Sequence, residues 1–182
     1  MRPIHIFVAT RDGQSERIAQ QISRQISSRG IEVLLQVLSL QSPHDRTLDA
    51  FLVVVVAAVR YGRHLPEAET FLALFNKNRS PPPLVLLSVN LTARKEGRQS
   101  ATGNPYLRKA IDRHELAPVA AFAIAGRLDY PKYRWFDRQM IRLIMAMTGG
   151  PADGISTIEF TNWAQVDSVA GEIATLAGTT TS

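Results

Sequence analysis

A five-stranded parallel α/β sheet with helices on both faces is the fold this sequence predicts. Three observations predict it. Short β-branched runs alternate with helical patterns along the chain, the signature of helices packed on a parallel sheet. The run Asp49 to Ala58, DAFLVVVVAA, has no polar alternation, as a strand covered on both faces requires. No repeat, low-complexity tract or linker divides the 182 residues, so residues 1–182 are expected to form one domain.

In chain order, Pro3 to Ala9 (PIHIFVA) reads as the first buried strand. A helix is expected from about Ser15 to Arg29, with Ile18, Ala19, Ile22 and Ile26 on one face and Gly30 as its stop. Ile31 to Leu38 is the second strand and Asp49 to Ala58 the third. His64 to Asn76 reads as a helix carrying Leu65, Ala68, Phe71, Leu72 and Phe75. Three prolines at 81–83 end it and open the fourth strand, Leu84 to Val89. A polar loop, Asn90 to Gly103, leads to a helix from about Pro105 to His114. Val119 to Ala125 is the fifth strand; an aromatic-basic insertion over 127–156 interrupts it, and Thr157 to Phe160 resumes it. Thr161 is the expected N-cap of a last helix to about Ala177, with 178–182 a frayed tail.

Lys plus Arg is 21 and Asp plus Glu 16, a net charge of +5 that favours anionic partners. With no cysteine, disulfides, thiolate metal sites and cysteine nucleophiles are excluded, and no metal site is expected. The first residues turn polar before reaching a signal-peptide apolar length. The longest wholly apolar run, Ala50 to Val59, is about half of the ~20 residues a membrane-spanning helix needs. A membrane contact would therefore be peripheral.

The insertion is the unusual stretch. Residues 127–150, RLDYPKYRWFDRQMIRLIMAMTGG, join four aromatics and a run of cations to a long apolar segment. On a helix, Arg134, Arg138 and Arg142 fall at i, i+4 and i+8, a cationic stripe beside an oily face. Such a helix suits a membrane surface or a partner, or it packs on its own core with the arginines solvated.

In an open α/β sheet, ligands bind beyond the carboxyl ends of the strands. Here these ends open into Thr10–Ser15, Val59–Gly62, Ser88–Leu91 and Gly126 onward. The first leads directly into a helix, whose free N–H groups and positive end suit a phosphate. It lacks the lysine of a nucleoside-triphosphate loop and the GxGxxG of a dinucleotide site.

With TRDGQS at 10–15 after its first strand, the chain resembles a flavodoxin-like FMN domain. It is further similar to the menaquinone-dependent protoporphyrinogen oxidases through RYGRH at 60–64, SVNLTARK at 88–95, NPYLRK at 104–109 and the whole of 125–150. That family carries a long insertion at the fifth strand. The resemblance implies FMN, with Thr10, Arg11, Asp12, Gly13, Gln14 and Ser15 around its phosphate, Ser88, Val89, Asn90 and Leu91 beside the ribityl and ring, and Ala125 and Gly126 closing a third loop. It implies stepwise oxidation of protoporphyrinogen IX: hydride passes from a meso carbon to the flavin and a pyrrole proton is lost, over three two-electron cycles. The electrons then go to menaquinone or ubiquinone at the cytoplasmic face of the inner membrane. Arg127, Tyr130, Lys132, Tyr133, Arg134 and Trp135 would meet the propionates and macrocycle, and Arg138 and Arg142 would join Arg134 at anionic lipid, worth roughly 1 kcal/mol per basic residue.

No catalytic base stands out. Arg60 is a candidate for a substrate carboxylate, Tyr61 for a position beside the flavin and His64 for a proton acceptor or a helix start. His5 reads as a core or strand-end residue, His44 and His114 as surface residues, Asp129 and Asp137 as partners of local arginines, and Trp163 as core. Two other readings stay open: a nicotinamide-fed quinone or flavin reductase, although no second nucleotide signal is present, and a basic nucleic-acid-binding domain, although no such motif is present. A homo-oligomer is also compatible with the sequence.

Overall fold

The computed structural model describes residues 2–41, 49–77 and 80–179. Its main sheet contains Ile4–Ala9 (β1), Val33–Val37 (β2), Leu52–Arg60 (β3), Arg63–His64 (β4), Leu84–Val89 (β5) and Ala120–Ile124 (β6). The parallel order is β2-β1-β3-β5-β6, with the short β4 folded back antiparallel on β3. This is the five-stranded parallel sheet the sequence predicts, with one two-residue strand added. β3 runs to Arg60, beyond the expected Ala58, because Val59 and Arg60 pair with His64 and Arg63.

Period-two alternation sorts the valine run between two cores. Val54 and Val56 face the layer of Gln14–Ser27 (α1) and Trp163–Thr179 (α5) with Ile18, Ile22, Val169 and Ile173. Val53 and Val55 face Pro66–Phe75 (α2) and Pro105–Arg113 (α3) with Phe71, Leu72 and Leu107. α1 forms where Ile18, Ala19, Ile22 and Ile26 recur on one face, all 0% exposed. α2 and α3 each start at a proline, whose fixed φ suits the first helical turn.

The last helix is capped differently from expectation. Asn162 Oδ1 accepts from Gln165 N at 3.2 Å, the N-cap-to-N3 geometry. Thr161 instead donates to Ala125 O at 2.8 Å, linking the fifth-strand loop to the start of α5. α5 continues to Thr179, through the first two residues of the expected frayed tail; 180–182 lie outside the described residues. Trp163 is half-buried rather than core: its indole donates to Glu159, and the Arg17 guanidinium lies 5.3 Å from its ring centroid.

The insertion also departs from the expected resumption of the fifth strand. Arg127–Asp129 (β7) and Thr157–Glu159 (β8) form a separate antiparallel pair, not an extension of the main sheet. Between them lie a 3₁₀ turn, Tyr130–Lys132, and the helix Trp135–Met147 (α4). Leu128, Tyr130, Tyr133 and Met145 make a small core here, with Leu91, Ile141, Ala152 and Phe160 packed against it.

Candidate functional site

A cleft of about 200 Å³ opens at the carboxyl ends of β1, β3 and β5. Thr10, Arg11, Asp12, Gln14 and Ser15 line it from the first loop, and Arg60, Tyr61 and Gly62 from the β3–β4 turn. Val89, Asn90, Leu91, Thr92 and Arg94 line it after β5, and Gly126 and Arg127 after β6. Tyr133, Ile141, Ile144, Met145 and Thr148 of the insertion complete a wall.

The first loop leaves the start of α1 without a side-chain cap. Gly13 occupies the N-cap of α1 with φ 82°, in the left-handed region glycine enters without a Cβ penalty. It supplies no side-chain cap to α1, and its own N–H donates to Thr10 Oγ1 at 3.1 Å. The helix thus presents its positive end at the cleft without an internal side-chain oxygen spent on it. Gln14 braces the loop from behind, donating to Thr161 Oγ1 at 2.9 Å and to Glu159 Oε1 at 3.1 Å. The first helical turn, β8 and the Ala125 carbonyl are thereby joined.

The second loop rests on a buried polar network. His64 Nε2 and Ser88 Oγ lie 2.8 Å apart, and Asn90 Nδ2 donates to Ser88 Oγ at 3.0 Å. Asn90 Oδ1 accepts from Ala93 N at 3.0 Å and from Asn104 Nδ2 at 3.2 Å, while Asn104 Oδ1 caps α3. Burial holds the His64 imidazole down to a pKa of about 4; Glu69 opposes this, and Arg113 and His114 add to it. His64 is therefore neutral at physiological pH, and it stands beneath the cleft rather than on its lining. The candidate proton acceptor thus faces Ser88 and the buried network rather than the open cleft. Ser88 and Ala125, 0% and 4% exposed, are likewise turned to internal contacts, and neither lines the cleft.

Arg60 and Tyr61 do line it. Arg60 Nη2 meets Asp137 Oδ2 at 2.5 Å and Nη1 lies 3.9 Å from Asp12 Oδ1. The Tyr61 hydroxyl donates to the other Asp137 oxygen. Asp137 does pair with an arginine, but one 77 residues away in sequence. Asp129 pairs locally with Arg127 and Lys132; burial raises its carboxyl pKa, and hydrogen bonds from Arg127 and Thr157 more than offset this.

The other insertion residues separate. Arg127 and Tyr133 reach the cleft. Tyr130 does not: it is 0% exposed, packed in the insertion core, with its hydroxyl donating to Pro151 O at 2.8 Å. Lys132, Arg134 and Trp135 are exposed. Arg138 and Arg142 are half-buried, and Arg142 Nε donates to Ala152 O at 3.0 Å. The expected outward cationic stripe is thus broken after Arg134. What α4 exposes is its oily side: Trp135 at 72%, Phe136 at 64%, Leu143 at 58% and Met147 at 78%. His5 is buried beside Phe7. His114, expected at the surface, is half-buried and pairs with Glu69 at 3.0 Å. His44 lies outside the described residues.

Sequence reasoning missed Arg94. Arg94 donates to Leu91 O at 2.7 Å and to Thr148 Oγ1 at 3.2 Å, tying the second loop to the end of α4. It lies within SVNLTARK at 88–95, so the signal was a motif whose last arginine received no role.

A five-stranded parallel sheet in the order β2-β1-β3-β5-β6, with an uncapped helix start at its switch point, defines the flavodoxin class, and FMN is the cofactor that class binds there. The model of the flavodoxin domain matches residues 5–154. Protoporphyrinogen IX dehydrogenase (quinone) of Escherichia coli (strain K12) is 36% identical over 172 residues, 94% of each chain. The protein of the same name from Leishmania major is 34% identical over 94% of this chain and 74% of its own. Among solved structures, rubredoxin oxygen:oxidoreductase from Desulfovibrio gigas superposes with a TM-score of 0.53 at 12% identity, over 98% of this chain and 37% of its own; that likeness concerns the fold alone. The chain belongs to the flavodoxin-domain family and, within it, to the protoporphyrinogen IX dehydrogenase (quinone) family.

Proposed function

We propose that this protein oxidises protoporphyrinogen IX to protoporphyrin IX and passes the electrons to a respiratory quinone, with FMN in the switch-point cleft. The observation that carries the reading is the near-full-length likeness to the Escherichia coli enzyme, taken with an insertion that forms one wall of the cofactor cleft. Thr10 to Ser15 would hold the FMN phosphate at the α1 terminus, and Val89 to Leu91 and Gly126 would flank the rest of the cofactor. FMN, when bound, supplies two-electron redox chemistry of its own. The chain's part is to position it, shield it and orient substrate. Arg60 and Arg127 offer cations for propionates, and Tyr61 and Tyr133 offer aromatic walls for the macrocycle.

The membrane part of the reading rests on α4. Among the described residues no helix is long and apolar enough to cross a membrane. α4 is oily on both sides: Ile141 and Met145 look to the cleft and Trp135, Phe136, Leu143 and Met147 to solvent. Exposed Lys132 and Arg134 stand at its N-terminal end. That combination suits a helix lying in the headgroup layer with cations toward anionic lipid, on the cytoplasmic face of the inner membrane. A lipid-dissolved quinone would then arrive on the side of α4 opposite the cofactor.

The test is anaerobic. FMN-loaded protein is mixed with protoporphyrinogen and a menaquinone analogue while porphyrin fluorescence and flavin absorbance are followed. Quinone-dependent porphyrin formation with transient flavin bleaching is expected. A flavin that ignores porphyrinogen and bleaches with reduced nicotinamide would replace the reading with a general reductase.

A further inference from the structure

The Arg60 guanidinium, at the cleft, is already engaged. Asp137 reaches it from α4 at 2.5 Å, and the hydroxyl of the adjacent Tyr61 takes the second carboxylate oxygen. Two neighbouring residues of one turn thus hold both oxygens of a carboxylate delivered by a distant element. Arg60 also lies near two rings, 5.6 Å from the Tyr61 centroid and 5.9 Å from that of Tyr133. A planar cation with aromatic walls is a receptor for a carboxylate attached to a flat apolar body. Tyr61 adopts φ 51°, a left-handed conformation uncommon for a bulky residue, and it does so where its hydroxyl meets Asp137.

The cleft itself is small. At about 200 Å³ it falls below the ~300–1,000 Å³ of ordinary ligand pockets, so a bulky substrate beside a cofactor requires a wall to move. The wall formed by Ile141, Ile144 and Met145 belongs to α4. Asp137 ties the first turn of that helix to the cleft, and Arg94 with Thr148 ties its last. The first turn carries the outward-facing Trp135 and Phe136, so little apolar burial holds it once Asp137 lets go.

We propose that Arg60 and Tyr61 form a carboxylate subsite which the chain fills with its own Asp137, and that a carboxylate of the substrate displaces Asp137 and frees the first turn of α4. Exchange of one carboxylate for another on the same donors is close to balanced, so apparent substrate affinity falls by the fraction of protein still latched. The inference rests on the tetrapyrrole reading of the site and adds to it the device by which the site opens.

The test uses FMN-loaded wild type, Asp137→Asn, Asp137→Ser and Arg60→Gln, titrated with mesoporphyrin IX and with its dimethyl ester by fluorescence quenching. Amide exchange is followed over residues 138–142. Both Asp137 variants are expected to bind the diacid roughly fivefold more tightly than wild type, and Arg60→Gln at least about tenfold more weakly, whereas the ester, which needs no cation, is not weakened by Arg60→Gln. Exchange over 138–142 rises in the Asp137 variants without porphyrin, and in wild type when the diacid binds. If wild type binds the diacid through Arg60 but neither Asp137 variant binds it more tightly, the self-filled subsite is overturned and the substrate reading stands. If wild type binds neither porphyrin, the substrate reading falls and takes this inference with it.

Discussion

The valines of β3 and the large apolar side chains of α4 meet opposite fates. Val53 to Val56 are 0% exposed, whereas Trp135, Phe136, Leu143 and Met147 all exceed half exposure. The strand has a helical layer on each face, so both sides of its alternation are covered. Among the described residues, the helix has the body of the protein on one side and none packed on the other. The same kind of side chain therefore stabilises the fold in one place and is left available for a partner in the other.

The sharpest way to break the comparison is a charge in each. Val55→Asp buries an unpaired carboxylate at the centre of the sheet and is expected to cost more than about 4 kcal/mol, leaving no folded protein in a thermal melt. Met147→Asp, at 78% exposure, is expected to stay within about 0.5 kcal/mol of wild type in the same melt while weakening vesicle binding.

Next in size is the pH response of the buried side. His64 has a folded pKa of about 4 against 6.5 unfolded. The unfolded chain therefore takes up its proton first as pH falls. The stability His64 confers as a neutral residue is complete above about pH 6.5 and is lost as pH drops toward 4, on the order of 3 kcal/mol in all. Urea midpoints measured across that range should fall steeply in wild type and less so in His64→Gln; parallel curves would remove His64 as the cause.

On the exposed side, replacing Trp135 and Phe136 together by Ser should lower partition onto anionic vesicles about a hundredfold, on the order of 3 kcal/mol, with FMN retention unchanged. Unaltered sedimentation with vesicles would mean that α4 meets something other than lipid. The smallest effect belongs to the phosphate loop. Gly13→Ala has open space for its methyl but must hold φ 82°, so roughly 1 kcal/mol of stability should go, with a measurable weakening of FMN binding.

Legibility in the sequence followed the range of the interactions involved. Leu84–Val89 was readable to the residue, because three prolines fix its start and its own apolar run fixes its extent. The N-cap of α5 was misplaced by one residue: Thr161 and Asn162 both have capping side chains, and the choice fell to the Ala125 carbonyl that Thr161 meets. Tyr130 carried the same aromatic signal as Tyr133, yet of these two core residues only Tyr133 also lines the cleft. Neither helical periodicity nor spacing separates them, since both lie at a 3₁₀ turn whose orientation is set by the β7–β8 pair.

The sequence by itself determined the layers. Alternation and unbroken β-branched runs state which residues must leave water, and glycine before a helix states where an anion is welcome; these are local properties of the chain. The tertiary structure decided the rest. It placed His64 under the cleft rather than in it, left Arg138 and Arg142 half-buried while the oily side of α4 faces out, and brought Asp137 across 77 residues onto Arg60. Each of these depends on which surface a second element covers, and burial and pairing are properties of two elements, never of one.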